Sequence, residues 1–199
     1  MTGSAWPHRI DRLVVASHNP DKIAEIEAIL GDLTPPIEVM TGLDWPEIAE
    51  TEPTLEGNAL LKARTVARLT GIAALGDDTG LEVAALDGAP GVTTARFAGP
   101  DASYTDNVAR LLAVMDGVAA RAARFRTVVA VAVPTGEAIT VEGVLEGWIT
   151  ERPRGEGGFG YDPVFAVGDR TLAELDIAVK NRISHRALAV RAVREALAG

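Results

Sequence analysis

Asp77 and Asp78 stand side by side in Gly76-Asp77-Asp78-Thr79-Gly80, between two apolar segments. A turn needs one Asp to cap its local N–H groups, not two. A carboxylate at this place can help to hold a hard cation such as Mg2+, which takes oxygen ligands and keeps several waters. It can also orient or deprotonate a water. Glu47, Glu50, Glu52 and Glu56 add further carboxylates upstream.

Several features suit an anionic or flat ligand. Ser17-His18-Asn19-Pro20-Asp21-Lys22 follows a short apolar run and opens a helical pattern. A helix N-terminus offers unpaired N–H groups and a positive dipole end, which suit phosphate; Lys22 adds a cation one turn in. Asn58 and Lys62 are four apart and are expected on the helix face opposite Leu55, Ala59 and Val66. Gly155 to Pro163 carries Phe159, Gly160, Tyr161 and Asp162, and Phe159 can stack on a flat ligand such as a base. This stretch formally matches G-x-G-x-x-G, but Pro163 and a β-type run follow it instead of the helix that a dinucleotide fingerprint requires. Lys180-Asn181-Arg182-Ile183-Ser184-His185-Arg186 is the one dense basic cluster. Its expected place at a helix N-terminus, where the dipole disfavours cations, makes sense if an anion sits there. Taken singly, each feature also has an ordinary structural reading: a capped helix, a surface lysine, an Asx-type turn, rings anchoring a loop, a basic turn.

Composition narrows the chemistry. With 19 Lys and Arg against 28 Asp and Glu the net charge is −9, a poor general match for a nucleic-acid backbone. There is no Cys, so disulfides and thiolate metal sites are excluded and a cytoplasmic setting is expected. The three His, at 8, 18 and 185, lack zinc-like spacing. Neither G-x-S-x-G, the P-loop pattern nor H-E-x-x-H occurs, which removes the serine hydrolase, Walker-type and zincin readings. No apolar stretch approaches the roughly 20 residues of a membrane span, so no membrane partner is expected.

The elements that must position these residues are legible from pattern. Leu13–Ala16 reads as a buried strand. A helix from Pro20 carries Ile23, Ile26 and Leu30, with Asn19 as its cap and Gly31 closing it. A second helix spans Thr54 to Leu69. Ile72–Leu75 and Leu81–Ala85 read as strands on either side of a Gly76–Gly80 turn. Tyr104–Met115 is helical, and Thr127–Val133 and Ala138–Leu145 pair across Pro134-Thr135-Gly136. A strand covers residues 163–167, and a last helix runs from Ser184 to about Leu197. Such alternation predicts an α/β fold with a mixed sheet. Residues 1–11 are expected as a loose leader and 12–199 as a single domain with two lobes.

The ordered combination is specific where single features are not. Ser-His-Asn-x-x-Lys, Glu50 with Asn58-Ala59-x-x-Lys62-Ala63, Asp77-Asp78-x-Gly80-Leu81, Pro90-Gly91-x-x-x-Ala95-Arg96, Phe159-Gly160-Tyr161-Asp162-Pro163-x-Phe165 and Lys180-x-x-x-Ser184-His185-Arg186 follow one another over about residues 12 to 197. This resembles the inosine triphosphate pyrophosphatase family, the XTP/dITP diphosphatases. The resemblance implies a long curved mixed sheet flanked by helices, two lobes with a central cleft, and a homodimer. It implies Mg2+-dependent hydrolysis of ITP, dITP and XTP to the monophosphate and pyrophosphate.

Position by position, the resemblance makes Ser17, His18, Asn19 and Lys22 the phosphate-binding segment, with Ser-His where the family often has Thr-Gly. Asp78 matches the general base and a Mg2+ ligand, and Thr79 stands where Ser is common. Glu50 matches the acidic position that helps the metal, with Glu47 and Glu52 as near alternatives. Asn58 and Lys62 match a substrate-binding pair in which Lys62 meets the triphosphate. Phe159, Gly160, Tyr161 and Asp162 match the base and sugar segment, and Lys180, His185 and Arg186 match base and phosphate contacts. The competing readings are a Maf-like pyrophosphatase with another base preference and a non-catalytic nucleotide-binding module.

Overall fold

The computed structural model describes residues 6–198. Strand β1 (Arg12–Val15) leads into α1 (Pro20–Gly31). Asn19 caps α1, its side chain accepting from the N–H groups of Asp21 and Lys22, and Pro20 takes the first helical position, where a missing N–H costs nothing. After the two-residue β2 (Glu38–Val39) comes a long irregular stretch, then α2 (Leu55–Thr70), capped by Thr54 and ended by Gly71 at φ +69°. Next come β3 (Ala74–Val83), β4 (Pro90–Gly91) and α3 (Tyr104–Val114), which opens on a Ser103–Asp106 capping box. The long strands β5 (Ala122–Ala132) and β6 (Ala138–Ile149) are followed by β7 (Phe165–Val167), β8 (Arg170–Thr171), α4 (Ile177–Ile183) and α5 (His185–Ala198).

Among the described residues the strands form one eight-stranded sheet in the order β2-β1-β3-β5-β6-β7-β8, with β4 on β3. The sheet is mixed, as expected: β1 pairs parallel with β2 and β3, while β6–β7 and β7–β8 are antiparallel. The chain divides into two compact units. The first comprises Met1–Asp78, Thr127–Gly143 and His185–Gly199, the second Thr79–Arg126 and Val144–Ser184. Each has its own apolar core. In the first, Leu13 and Val15 of β1, Ile26, Ile29 and Leu30 of α1 and Ala187, Val190 and Val193 of α5 are buried together. In the second, Leu81, Leu111, Met115, Phe125, Ile149 and Phe165 are.

Three local expectations change. The Gly76–Gly80 turn is instead the middle of β3, one ten-residue strand. The basic cluster does not open a single helix: Lys180 and Arg182 lie in the last turn of α4, where the dipole favours cations, and only His185 and Arg186 begin α5. Of the expected loose leader, residues 1–5 lie outside the described residues. Ile10, however, packs against the first core, and the Asp11 carbonyl accepts from Glu38 N–H at 2.9 Å.

Candidate active site

Strand geometry sorts the two adjacent acids. Successive side chains of a strand point to opposite faces, so Asp77 and Asp78 of β3 part company. Within the first unit, Asp77 meets α1 and α5. Its Oδ2 lies 3.4 Å from Lys22 Nζ and accepts from Arg186 Nε at 3.2 Å. Arg186 Nη1 in turn donates to Glu25 of α1 at 2.5 Å. Asp77, Glu25 and Arg186 are all buried. Burial pushes the Asp77 carboxyl up, but Lys22, Arg186 and Lys62 pull it further the other way, and it ends far below the usual carboxylate range.

Asp78 turns to α2. Asn58 Nδ2 donates to its Oδ2 at 3.1 Å, and Lys62 Nζ stands 3.6 Å from its Oδ1. The approach depends on Gly76, two residues back on the same face. A Cβ there would lie 2.5 Å from the Ala59 carbonyl and 2.8 Å from Ala63 N. Asn58 and Lys62 are thus on the buried face of α2 beside Leu55, Ala59 and Val66, not opposite them. At 100° per residue Asn58 is only about 60° from Leu55 around the helix. Burial raises the pKa of Asp78 and Glu50 adds to the rise, which the Lys62 and Lys22 charges and the Asn58 hydrogen bond do not offset. Lys62 ends raised too: burial lowers it, and Asp77, Asp78 and Glu50 more than compensate.

Glu50 Oε1 sits 2.5 Å from Lys62 Nζ. Glu50 and Asp78 therefore converge on one cation position, and two carboxylates are the donor set of a hard divalent cation that completes its shell with water and substrate oxygens. Among the described residues no group of three or more His, Asp or Glu side chains is placed to hold a metal. Glu52 is used otherwise: its backbone N–H donates to Asn58 Oδ1 at 3.0 Å, and its carbonyl accepts from Asn58 Nδ2 at 3.3 Å. Glu47 is exposed.

The remaining first-unit positions cluster at the start of two helices. Asn19 N–H donates to Ser17 Oγ at 3.1 Å, His18 is exposed, and Lys22 is half-buried. His185 is buried and shares a 2.5 Å hydrogen bond between its Nδ1 and the Thr127 hydroxyl. Gly143 makes room for this end of α5, since a Cβ there would strike the His185 carbonyl.

The second unit gathers Phe159, Asp162 and Lys180. Asp162 Oδ2 accepts from Phe159 N–H at 2.8 Å and from Lys180 Nζ at 2.6 Å. Lys180 Nζ also stands 4.6 Å from the centre of the Phe159 ring, a cation–π contact. Gly158 (φ +70°) and Gly160 (φ +62°) are both left-handed, and a Cβ on Gly158 would strike Asp162 Oδ2. Tyr161 is a core residue whose hydroxyl donates to the Thr94 carbonyl at 2.9 Å. Thr79 is half-buried in β3.

The family model of the Ham1 family matches residues 13–196, nearly the whole described chain. The chain belongs to the Ham1 family. A dITP/XTP pyrophosphatase of Exiguobacterium is 48% identical over 185 residues, covering 90% of this chain and 93% of the relative. A solved HAM1 protein from Coxiella burnetii superposes with a TM-score of 0.82 at 40% identity, over 94% of this chain and 98% of that one. The crystal structure of a nucleoside-triphosphatase, dITP/XTP pyrophosphatase, from Mycobacterium abscessus gives 0.71 at 38% identity, over 92% and 97%. The α/β fold is therefore that of solved Ham1 proteins.

In this Ham1 chain three site residues escaped the sequence reading: Glu25, the ion-paired role of Asp77, and Trp45, whose ring stacks on His18. A signal existed for Glu25, a charged residue next to Ile26 on the stripe that Ile29 and Leu30 continue.

Proposed function

We propose that the chain hydrolyses non-canonical purine nucleoside triphosphates (ITP, dITP and XTP) to the monophosphate and pyrophosphate. The observation that carries the reading is Asp78: a buried, proton-avid carboxyl held by Asn58 next to the Lys62 ammonium, in a chain close to named dITP/XTP pyrophosphatases.

Asp78 takes a proton from a water that attacks the α-phosphorus, as the bond to the bridging oxygen breaks and pyrophosphate leaves. Asn58 fixes the direction of the Asp78 carboxylate. Lys62 and Lys22 stabilise charge on the triphosphate, with the N–H groups at the start of α1, the segment of Ser17, His18 and Asn19, beside them. Asp78 and Glu50 would hold Mg2+, which supplies Lewis-acid neutralisation of phosphate charge when bound. Phe159, Gly160, Tyr161, Asp162 and Lys180 serve the base and sugar. His185 and Arg186 are the donors for the 6-oxo group, Arg186 pre-oriented by Asp77 and Glu25. A site built around such donors rejects the 6-amino base because its polar groups stay unpaired. Thr79 follows the reacting carboxylate in β3, its side chain on the other face of the strand. We also read the enzyme as a cytoplasmic homodimer; among the described residues no helix is long and apolar enough to cross a membrane.

A panel of nucleoside triphosphates with pyrophosphate detection tests the assignment. ITP, dITP and XTP should exceed ATP, UTP and m7GTP in kcat/KM by orders of magnitude. ITP and XTP turned over no faster than UTP or m7GTP would point instead to a Maf-like preference, and no turnover at all to a binding module.

A further inference from the structure

Glu50 lies on a poorly supported piece of chain. Residues 40–53 have no regular structure and are mostly exposed. Such a stretch surrenders much backbone entropy when held in one shape, so something must hold it. Its ends are tied: Met40 N–H donates to the Leu13 carbonyl at 2.8 Å, and Glu52 is bonded to Asn58. Between those ties, Trp45 lies over His18 with ring centroids 5.3 Å apart and planes 19° from parallel. His18 sits between Ser17 and the Asn19 cap of α1. His18 and Trp45 share a pocket of about 240 Å3 with Ser17, Ile23, Met40 and Leu43. His18 is exposed and Trp45 only half-buried, so the pair bridges two surface segments and does not fill a core.

We propose that His18 and Trp45 form a ring-on-ring clasp that positions the Glu50-bearing segment at the phosphate-binding start of α1. The clasp holds Glu50 beside Lys62 and Asp78 before substrate arrives. Both residues are positioning residues, and their link to turnover rests on the function proposed above. His18 supplies a flat face that Gly cannot, and Trp45 is five residues from Glu50, near enough for its anchorage to limit where the carboxylate can go.

Hydrogen exchange of the segment 41–50 and Mn2+ binding followed by electron paramagnetic resonance test the clasp on the full chain. His18→Gly and Trp45→Ala should each speed exchange across 41–50 and weaken Mn2+ binding roughly 3- to 10-fold, the range of one aromatic pair. The double variant should be no worse than either single, since both break the same contact. His18→Phe and Trp45→Phe, which keep a ring, should recover most of the loss. Wild-type exchange and Mn2+ affinity in Trp45→Ala, or losses that add in the double variant, overturn the clasp even if ITP is hydrolysed. A wild-type enzyme without purine triphosphate turnover removes the functional reading instead, and faster exchange with rescue by the phenyl variants would still support the clasp.

Discussion

Asp77 and Asp78 differ by one position in β3 and are shifted in opposite directions: burial raises both, but Lys22, Arg186 and Lys62 outweigh it at Asp77, whereas at Asp78 Glu50 adds to it and Lys62 and Lys22 do not offset it. A base must be the group that wants the proton, so Asp78→Asn should lower kcat roughly 10²- to 10⁴-fold while a nucleotide still binds. Pyrophosphate release and calorimetric titration measure the two; unchanged turnover would remove Asp78 from the mechanism. Asp77, which orients Arg186, also carries stability. Its folded pKa is depressed, so the unfolded chain binds protons more readily, and the stabilisation is present above the unfolded carboxylate value of about 4 and lost as pH falls below it. Asp77→Asn leaves Lys22 and Arg186 short of a buried partner and should cost about 3 kcal/mol, a drop in Tm of about 6–12 °C at pH 7. Melts between pH 3 and 6 should also show a shallower acid loss in the variant than in the wild type. An equal slope would show that Asp77 is not what acid attacks. That Asp78 meets Asn58 and Lys62 was legible only in the ordered combination of motifs, since Asp78 lies 20 residues from Asn58. The ion pairs of Asp77 and Glu25 were not, because Arg186 reaches them from 109 and 161 residues away.

Helix α2 delivers Asn58 and Lys62 to Asp78 only because β3 has no side chain at Gly76. In Gly76→Ala the new Cβ meets backbone atoms of Ala59 and Ala63, which cannot swing aside, so the helix itself must move. The expected result is about 1–3 kcal/mol of lost stability and a 10- to 100-fold fall in kcat/KM, since a displacement on the ångström scale disrupts a reacting geometry. Gly31→Ala is the control, because a Cβ there meets nothing within 4 Å. If thermal melts and kinetics of the two variants agree, Gly76 is not a spacer. Elements with their own punctuation were legible: α1 from Asn19 and Pro20, α2 from Thr54 and Gly71. The misread ones take their shape from neighbours. Gly76-Asp77-Asp78-Thr79-Gly80 has the composition of a turn, yet it is strand because β1 and β5 flank it and its carboxylates find cations on both faces. Strands β2, β4 and β8 are two residues long and α4 only seven, too short to carry a period.

At the candidate site the positive charge is spent internally. The first unit is assembled from three separate stretches of chain, and α5 closes it by carrying Arg186 to Asp77 and Glu25. Lys22 faces Asp77, Lys62 faces Glu50 and Asp78, and Lys180 faces Asp162. Each cation assigned to the nucleotide therefore already has a carboxylate. With a net charge of −9, the chain as a whole does not attract an anion. A triphosphate of about four negative charges would meet Glu50 and Asp78 as well as Lys62, and like charges at such range repel strongly. A divalent cation held by Glu50 and Asp78 would reverse the sign of the local field and leave Lys62 available to phosphate. Removing divalent cations with EDTA should therefore weaken binding of a non-hydrolysable ITP analogue at least ~10-fold by calorimetry and abolish turnover, both returning when Mg2+ is restored. In Glu50→Gln one of the two repelling charges is gone, so the analogue should bind better than in the wild type without metal and gain less from Mg2+. Equal affinity in the wild type with and without Mg2+ would mean that the nucleotide displaces the carboxylates unaided, and the charge argument would fail.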